Sequence, residues 1–256
     1  MIGWIVTDLD GTLVGRDLLM VDRSRQALLR FAASGGRVVI ATGRSERSAR
    51  RYYDELGLSG AAILYNGART VDLRADTVLD ARCLPSAAWP AVVSGLPEGV
   101  FPVAFCNGEA LVVDEVPELR EYARRDGITL HAVSGWDVVP AAHVTKVMLI
   151  GAVEGWAPPA PEGTTLVRSE ATYLEVLPEG ATKGAALRAL TEACGVPLNQ
   201  VAAIGDNPND LDMLAAAGLG VAVGDGHADV RAAADLIVGP CATGAVADLV
   251  DHLLGR

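Results

Sequence analysis

The chain has 256 residues, of which half are apolar and 21% are charged, and its formal net charge at pH 7 is -11. This length is enough for one large domain or two modest ones with a sizeable core. The acidic balance argues against nucleic acid or an acidic membrane as a partner, because both bind basic surfaces. The four cysteines form no C-x-x-C pair, so neither a zinc site nor a disulfide framework is expected. Without a basic leader or an apolar run of membrane-spanning length, we expect a cytoplasmic protein with reduced thiols.

Residues 1–81 alternate apolar runs with stretches of helical periodicity. Continuous apolar runs predict strands that are buried on both faces, and glycines end the helices between them. The predicted strands lie at 2–6, 38–41 and 62–65, and the predicted helices lie at 24–33 and 46–56. This βαβαβ order predicts a doubly wound parallel sheet.

Residues 82–178 have a different pattern, and residues 179–256 return to the first one. Most of the prolines lie in the middle segment, where short strands are predicted at 100–105, 110–113, 144–150 and 173–176 and a helix at 117–125. We interpret this segment as an inserted α+β cap domain with an antiparallel sheet. The final segment, with strands at 201–204 and 220–223, completes the α/β core begun by residues 1–81.

Two carboxylates follow the first predicted strand. Asp8 and Asp10 lie beside Gly11, whose freedom of backbone conformation permits a sharp turn at the strand's carboxyl end. That edge is where open α/β sheets bind ligands. Because two acids so close together repel each other, they indicate a divalent cation.

The other core strands also end in polar residues. Thr42 and Gly43 offer a hydroxyl and a backbone amide for phosphate oxygens, and Lys183 lies at a helix start, where an anion is favoured. Asp206 follows the strand at 201–204. Carboxylates with no Cys or His beside them favour a hard, oxygen-binding cation, and Mg²⁺ fits because it needs few carboxylates and keeps several waters.

In their order and spacing, these motifs resemble the haloacid dehalogenase superfamily of phosphohydrolases. The resemblance covers almost the whole chain and is greatest to the Cof-type branch, which carries a C2B cap between the second and third motifs. It rests on DLDGTL at 8–13, TGR at 42–44, NGA at 66–68, LEVLPEGATKGAAL at 174–187 and GDNPNDLDML at 205–214.

The resemblance implies a covalent mechanism of phosphoryl transfer. Asp8 is the implied nucleophile, which forms an aspartyl-phosphate, and Asp10 is the implied general acid and base. One Mg²⁺ is implied between the Asp8 carboxylate, the Asp10 backbone carbonyl and Asp206. The implied substrate is a small phosphomonoester, with a sugar phosphate as the leading class.

Further residues take implied roles around the phosphoryl group. Asp210 is implied to orient Lys183 or a metal-bound water, and Arg44 and Asn66 are candidates for substrate contact. The groups implied to surround the phosphoryl oxygens are the Leu9 amide, Thr42, Gly43, Lys183 and Asn209.

Two departures from the family pattern affect the expected specificity. Residues 151–163 contain too many prolines and glycines for the second cap helix that the family usually has, so we expect a trimmed cap. Asp225 stands where the family tends to have Asn; it is either an extra acid near the site or a cap for the following helix. Arg168 is a candidate for substrate contact, with packing as the default.

Several alternatives remain open at this point. The same aspartyl-phosphate could pass to a sugar hydroxyl in a phosphotransferase or phosphomutase. A phosphatase could instead act on a nucleotide, a cofactor phosphate or phosphoglycolate. A binding module that keeps the fold is the non-enzymatic alternative, and we expect either a monomer or a homodimer.

Overall fold

A computed structural model describes residues 2–152 and 155–255. Within these residues the strands are β1 Trp4–Thr7, β2 Arg37–Ile40, β3 Ala61–Leu64, β4 Arg69–Asp72, β5 Thr77–Ala81, β6 Phe101–Cys106, β7 Glu109–Val112, β8 Leu130–Ala132, β9 Val144–Ile150, β10 Thr164–Glu170, β11 Tyr173–Pro178, β12 Val201–Gly205, β13 Leu219–Ala222 and β14 Leu236–Ile237. The helices are α1 Asp22–Ala33, α2 Glu46–Glu55, α3 Trp89–Val93, α4 Pro117–Asp126, α5 Lys183–Ala193, α6 Leu211–Ala216, α7 Ala228–Ala233 and α8 Ala245–Leu253. None of these helices combines the length and the apolar content that a membrane span requires.

Contacts divide the chain into two compact units. The first contains residues up to Gly43, then Ala49–Leu79, and then residues from Thr182 onward. The second contains Arg44–Ser48 and Asp80–Ala181. The sequence-based boundaries at 82 and 178 stay a prediction.

The first unit is built on a parallel sheet with the strand order β14-β13-β12-β1-β2. A bridge between Ala41 and Ile63 extends the parallel arrangement to β3, which also pairs antiparallel with β4. The chain proceeds from β1 to β2 and β3 in one direction, and from β12 to β13 and β14 in the other. The predicted α/β class is therefore confirmed, and the order of the strands reverses between β1 and β12.

The central strands are apolar because helices cover both faces of this sheet. In β1, Trp4 and Val6 contribute to a core that includes Leu187 of α5 and Met213 of α6. Ile5 is equally buried, and α1 packs against α8. Burial on both faces explains why β1 is a continuous apolar run without alternation.

The second unit contains a six-stranded sheet with the order β10-β11-β9-β6-β7-β8. Its described pairings are antiparallel, except that β7 and β8 are parallel. The strand predicted at 144–150 is confirmed as β9. No strand was predicted at β10, whose side chains are mostly half-buried or exposed because the strand lies at the edge of the sheet.

The segment that was predicted to lack a cap helix has none in its described parts, 151–152 and 155–163. The Arg168 guanidinium holds this segment by donating to the carbonyls of Ala152 and Trp156, each at 2.6 Å. A third bond goes to the carbonyl of Ala171 at 3.1 Å. With its guanidinium committed to backbone carbonyls, Arg168 has the packing role.

Candidate active site

The candidate site lies where the strand order of the parallel sheet reverses. Asp8 follows β1 and Asp206 follows β12, so the two acids lie at the carboxyl ends of neighbouring strands on either side of that point. Open α/β sheets bind their ligands in the crevice that such a reversal creates. The topology therefore brings together two acids that are 198 positions apart in the sequence numbering.

Lys183, the first residue of α5, is the cation of this site. Its Nζ donates to Asp8 Oδ1 and to Asp210 Oδ1, each at 2.6 Å, and its side chain is only 1% exposed. Burial alone would lower the pKa of Lys183, but the two carboxylates outweigh burial and raise that pKa above its usual value. The lysine therefore stays charged.

The acids together carry more charge than Lys183 can neutralise. Burial raises the pKa of Asp8 well above its usual value; Lys183 opposes this rise, while Asp210, Asp206 and Asp10 add to it. Burial, and then Asp210, raise the pKa of Asp206 to about 6. Such shifts mean that the site holds negative charge that is poorly compensated by the protein.

Three carboxylates offer oxygen atoms to a common centre. One oxygen from each of Asp8, Asp206 and Asp210 lies within 4.8 Å of the others, so this group could hold a metal ion. An all-carboxylate donor set suits a hard cation such as Mg²⁺. The excess negative charge described above fits the same interpretation.

Asp210 is an acid of this group that accepts hydrogen bonds at both of its carboxylate oxygens. Oδ1 accepts from Lys183 Nζ, and Oδ2 accepts from the backbone N–H groups of Asp206 and Asn207, each at 3.0 Å. The residue is fully buried. Its geometry matches the expected role of orienting Lys183, and it also fixes the backbone of Asp206.

Thr12 is a site residue that the sequence reasoning missed. Its hydroxyl donates to Asp206 Oδ1 at 2.9 Å, and this bond opposes the rise in the pKa of Asp206. Gly11, at φ +81°, permits the approach, because a Cβ there would overlap Asp206 Oδ2. The motif DLDGTL contained both residues, but nothing in it indicated a partner beyond residue 200.

A second group of predicted residues meets beside the first. The Thr42 N–H donates to the Ile63 carbonyl at 2.9 Å, and the Asn66 N–H donates to the Thr42 carbonyl at 3.0 Å. Asn209 Nδ2 donates to Asn66 Oδ1 at 2.9 Å. A Cβ on Gly43 would lie 3.1 Å from the amide atoms of Asn66. Asn66 is 4% exposed, so the structure places it among the predicted phosphate ligands.

The remaining predicted residues occupy distinct positions. Asp10 is exposed, and its backbone forms a bridge with Val14. Leu9 is fully buried, and its carbonyl accepts from backbone N–H groups that follow it. Arg44 groups with the second unit, where its guanidinium donates to Ser48 Oγ at 2.6 Å.

Asp225 caps a turn and not the helix that follows it in the sequence. Its Oδ1 accepts from the Cys241 N–H at 3.0 Å. The helix that follows it, α7, begins after His227, whose Nδ1 accepts from the Asp229 N–H at 3.3 Å. The prediction that Asp225 caps the following helix is therefore wrong, because its carboxylate binds the turn that begins at Cys241.

The fold and the site agree with the family whose model matches this chain. The family model described as haloacid dehalogenase-like hydrolase matches residues 5–250. The chain belongs to the haloacid dehalogenase-like hydrolases, and within them to the Cof-type branch.

Individual relatives agree with this assignment over nearly the full chain. The chain is 27% identical over 279 residues to the pyridoxal phosphate phosphatase YbhA of Escherichia coli (strain K12), with 98% of each chain covered. It is 28% identical over 263 residues to the HMP-PP phosphatase of Klebsiella pneumoniae (strain 342), covering 96% of this chain and 94% of that one. The crystal structure of a haloacid dehalogenase-like hydrolase from Bacteroides thetaiotaomicron has a TM-score of 0.89 and 26% identity, covering 99% and 100%. The chain is thus an enzyme of the phosphoric monoester hydrolase class.

Proposed function

We propose that this protein is a Mg²⁺-dependent phosphatase that hydrolyses a small phosphomonoester through a phosphorylated Asp8. The observation that carries the proposal is the 2.6 Å contact between Asp8 Oδ1 and Lys183 Nζ at the reversal point of the sheet. The contact holds a carboxylate at the sheet edge that binds ligands, beside a fixed positive charge for an anionic substrate.

The reaction divides into two displacements. In the first, an Asp8 oxygen forms a bond to phosphorus, the bond from phosphorus to the leaving oxygen breaks, and the Asp10 carboxyl gives that oxygen its proton. In the second, the Asp10 carboxylate takes a proton from water as the water oxygen attacks phosphorus. The bond from Asp8 to phosphorus then breaks, which releases inorganic phosphate and restores both acids.

The residues present fit a magnesium ion. The groups that would hold it are the carboxylates of Asp8 and Asp206 and the backbone carbonyl of Asp10, because both oxygens of Asp210 are already bonded within the protein. When bound, Mg²⁺ supplies positive charge that offsets the repulsion between an anionic nucleophile and an anionic phosphate.

The phosphoryl oxygens need donors that are in place before the reaction, since their charge is present throughout the transfer. The proposed donors are the Leu9 amide, the Thr42 hydroxyl, the Gly43 amide, Lys183 and the Asn209 amide. Support for this set comes from the packing of Thr42, Gly43 and Asn209 around Asn66 within one unit.

A sugar phosphate is the substrate class expected from the resemblance, with Arg44 as a candidate contact. The names of the two relatives favour a second candidate, a cofactor-type phosphate such as pyridoxal phosphate. Transfer to a sugar hydroxyl would use the same phosphorylated aspartate.

We further propose a cytoplasmic enzyme whose partner is a phosphorylated metabolite, not nucleic acid or a membrane. The net charge of -11 supports the choice of partner. All four cysteines are free thiols, as is usual in a reducing compartment. A monomer or a homodimer is expected.

A substrate panel tests the proposal. The protein is assayed with sugar phosphates, pyridoxal phosphate, nucleotides and phosphoglycolate, with Mg²⁺ or with excess chelator, and ranked by kcat/KM. We expect turnover with Mg²⁺, loss of turnover on chelation, and recovery when Mg²⁺ is restored. Full activity after exhaustive metal removal would contradict the metal assignment, and absence of turnover on every substrate would favour a binding module. Product analysis with and without an acceptor alcohol separates hydrolysis from transfer.

A further inference from the structure

The turn after β3 has an unusual backbone. Tyr65 and Asn66 adopt φ values of 49° and 55°, in the left-handed region that side chains rarely occupy, and Gly67 follows at 95°. Tyr65 is fully buried and Asn66 is 4% exposed. Consecutive residues in this region persist only where the surroundings hold them. The turn is therefore fixed by its contacts.

Those contacts reach three segments that carry proposed phosphate ligands. The Asn66 N–H donates to the Thr42 carbonyl at 3.0 Å. The Asn66 amide packs so closely on Gly43 that a Cβ there would lie 3.1 Å from it. At Gly67, a Cβ would overlap the carbonyl of Thr182 and lie 3.0 Å from the backbone nitrogen of Lys183. The third segment is that of Asn209.

Asn209 depends on this turn for its orientation. Within the described residues, its side-chain amide makes one hydrogen bond, from Nδ2 to Asn66 Oδ1 at 2.9 Å. Asn209 Oδ1 is buried and has no hydrogen-bond partner among those residues. Among the described residues, no other hydrogen bond sets the orientation of this amide.

The orientation matters because the two ends of an amide have opposite polarity. The Nδ2 group has two hydrogens, so one can bind Asn66 while the other remains for an anion. If the amide turned over, Oδ1 would take that place and would repel a phosphate oxygen. An oxygen acceptor at Asn66 therefore selects the form of Asn209 that binds phosphate.

We propose that Asn66 is a positioning residue that acts through Asn209: its side-chain oxygen holds the Asn209 amide with a hydrogen directed at the phosphoryl group. This inference rests on the proposed function and refines it, because Asn66 was first a candidate for direct substrate contact. The strained turn gives Asn66 its reach to Asn209, and Gly43 leaves room for its amide.

A double-mutant cycle on the full chain tests the proposal, with binding of inorganic phosphate in the presence of Mg²⁺ as the readout. The variants are Asn66→Gly, Asn209→Ala and the pair. Glycine tolerates the left-handed backbone, so Asn66→Gly removes the amide without adding strain. We expect each single change to weaken phosphate binding about tenfold or more, the usual effect of losing a hydrogen bond to a charged group. The pair should bind no more weakly than Asn209→Ala alone.

Asp76→Gly is the matched control. Asp76 also has a left-handed backbone, with φ 50°. It lies in the turn after β4. Because β4 runs antiparallel to β3, this turn lies beside the amino end of β3, whereas the site lies at the carboxyl end. We expect phosphate binding to be unchanged in this variant. The control thus separates the effect of losing the Asn66 amide from the effect of introducing a glycine at a left-handed position.

Independent, multiplying losses in the double variant, or unchanged phosphate binding in Asn66→Gly, would overturn the proposal. Thermal unfolding of each variant separates a misfolded protein from a repositioned amide. A wild-type protein that binds phosphate but hydrolyses no phosphomonoester would refute the proposed function and leave the coupling measurable. A wild-type protein that binds no inorganic phosphate would overturn this inference, and turnover on the substrate panel would still decide the proposed function.

Discussion

Lys183 Nζ lies 2.6 Å from Asp8 Oδ1, and both side chains are shielded from water, with exposures of 1% and 7%. The lysine also forms an ion pair with Asp210, so one positive charge is shared between two buried carboxylates. A buried charge that loses its partner is strongly destabilising, because its desolvation is no longer offset. The residues of the proposed chemistry are therefore also a point of vulnerability in the fold.

Replacing Lys183 with methionine should abolish turnover and destabilise the protein by about 3–5 kcal/mol. The loss of stability should be larger at pH 8 than at pH 5. Without the lysine, the pKa of Asp8 rises further above its unfolded value, so the native state binds more protons than the unfolded state and stability falls as pH rises. Chemical denaturation at both pH values measures this. Arg188→Met, on the exposed side of the same helix, is the control. Equal losses at both pH values would contradict the account.

Asp10→Asn should lower kcat by roughly 10²–10⁴-fold, the usual contribution of a general acid and base. Because the proposed metal ligand at this position is the backbone carbonyl, Mg²⁺ affinity should be retained. Calorimetric titration with Mg²⁺ beside steady-state kinetics measures the two effects separately, and Asp17→Asn, an exposed change in the same loop, is the control. A collapse of Mg²⁺ affinity would show that the side chain is the ligand.

The pKa of Asp206, raised to about 6, predicts how metal binding depends on pH. Mg²⁺ needs the ionised carboxylate, so its affinity should weaken as pH falls through about 6, where protons compete. In the metal-free protein, the native state holds this proton more tightly than the unfolded state. Its stability should therefore fall as pH rises from the ordinary Asp range to about 6, and Mg²⁺ should restore it. Calorimetry and thermal unfolding between about pH 4 and 8 test both trends, because this range spans the ordinary and the raised pKa of Asp206. A pH-independent affinity would exclude Asp206 as a ligand.

Thr12→Val should weaken Mg²⁺ binding and shift its pH dependence upward, since the Thr12 hydroxyl holds down the pKa of Asp206. Thr12→Ser keeps the hydroxyl and should behave as the wild type. The comparison isolates one hydrogen bond, because valine has nearly the shape of threonine. If the serine variant were as impaired as the valine variant, the effect would lie in packing.

Much of the core was predictable because apolar runs and helical periodicity reflect burial directly. The strand at Val144–Ile150 lies where its pattern indicates, since all of its side chains are buried. The strand at Thr164–Glu170 was missed because, at the edge of its sheet, it has no continuous or alternating apolar pattern.

The residues of the candidate site also divide into those that the sequence pattern predicted and those that it did not. Polar residues at the ends of buried strands predicted that Asp8 and Asp206 would meet, because parallel strands end at one side of the sheet. Lys183 was predicted there from its position at a helix start and from the family resemblance. The bond from Thr12 to Asp206 and the bond from Asn209 to Asn66 depend on side-chain orientation across 194 and 143 residues. Local pattern carries no information about such pairs, and the same limit explains the partner of Asp225.

The central claim is that Asp8 carries the phosphoryl group, and trapping that group tests it most directly. The enzyme is mixed with substrate and Mg²⁺, quenched in acid within the first turnover, and digested with pepsin at acid pH, where an acyl phosphate survives. The peptide that contains Asp8 is then sequenced by mass spectrometry. We predict a base-labile phosphoryl group on Asp8, absent without Mg²⁺ and absent from an Asp8→Asn variant that folds normally but does not turn over. Turnover by pure Asp8→Asn protein, or a phosphoryl group on any other residue, would contradict the account.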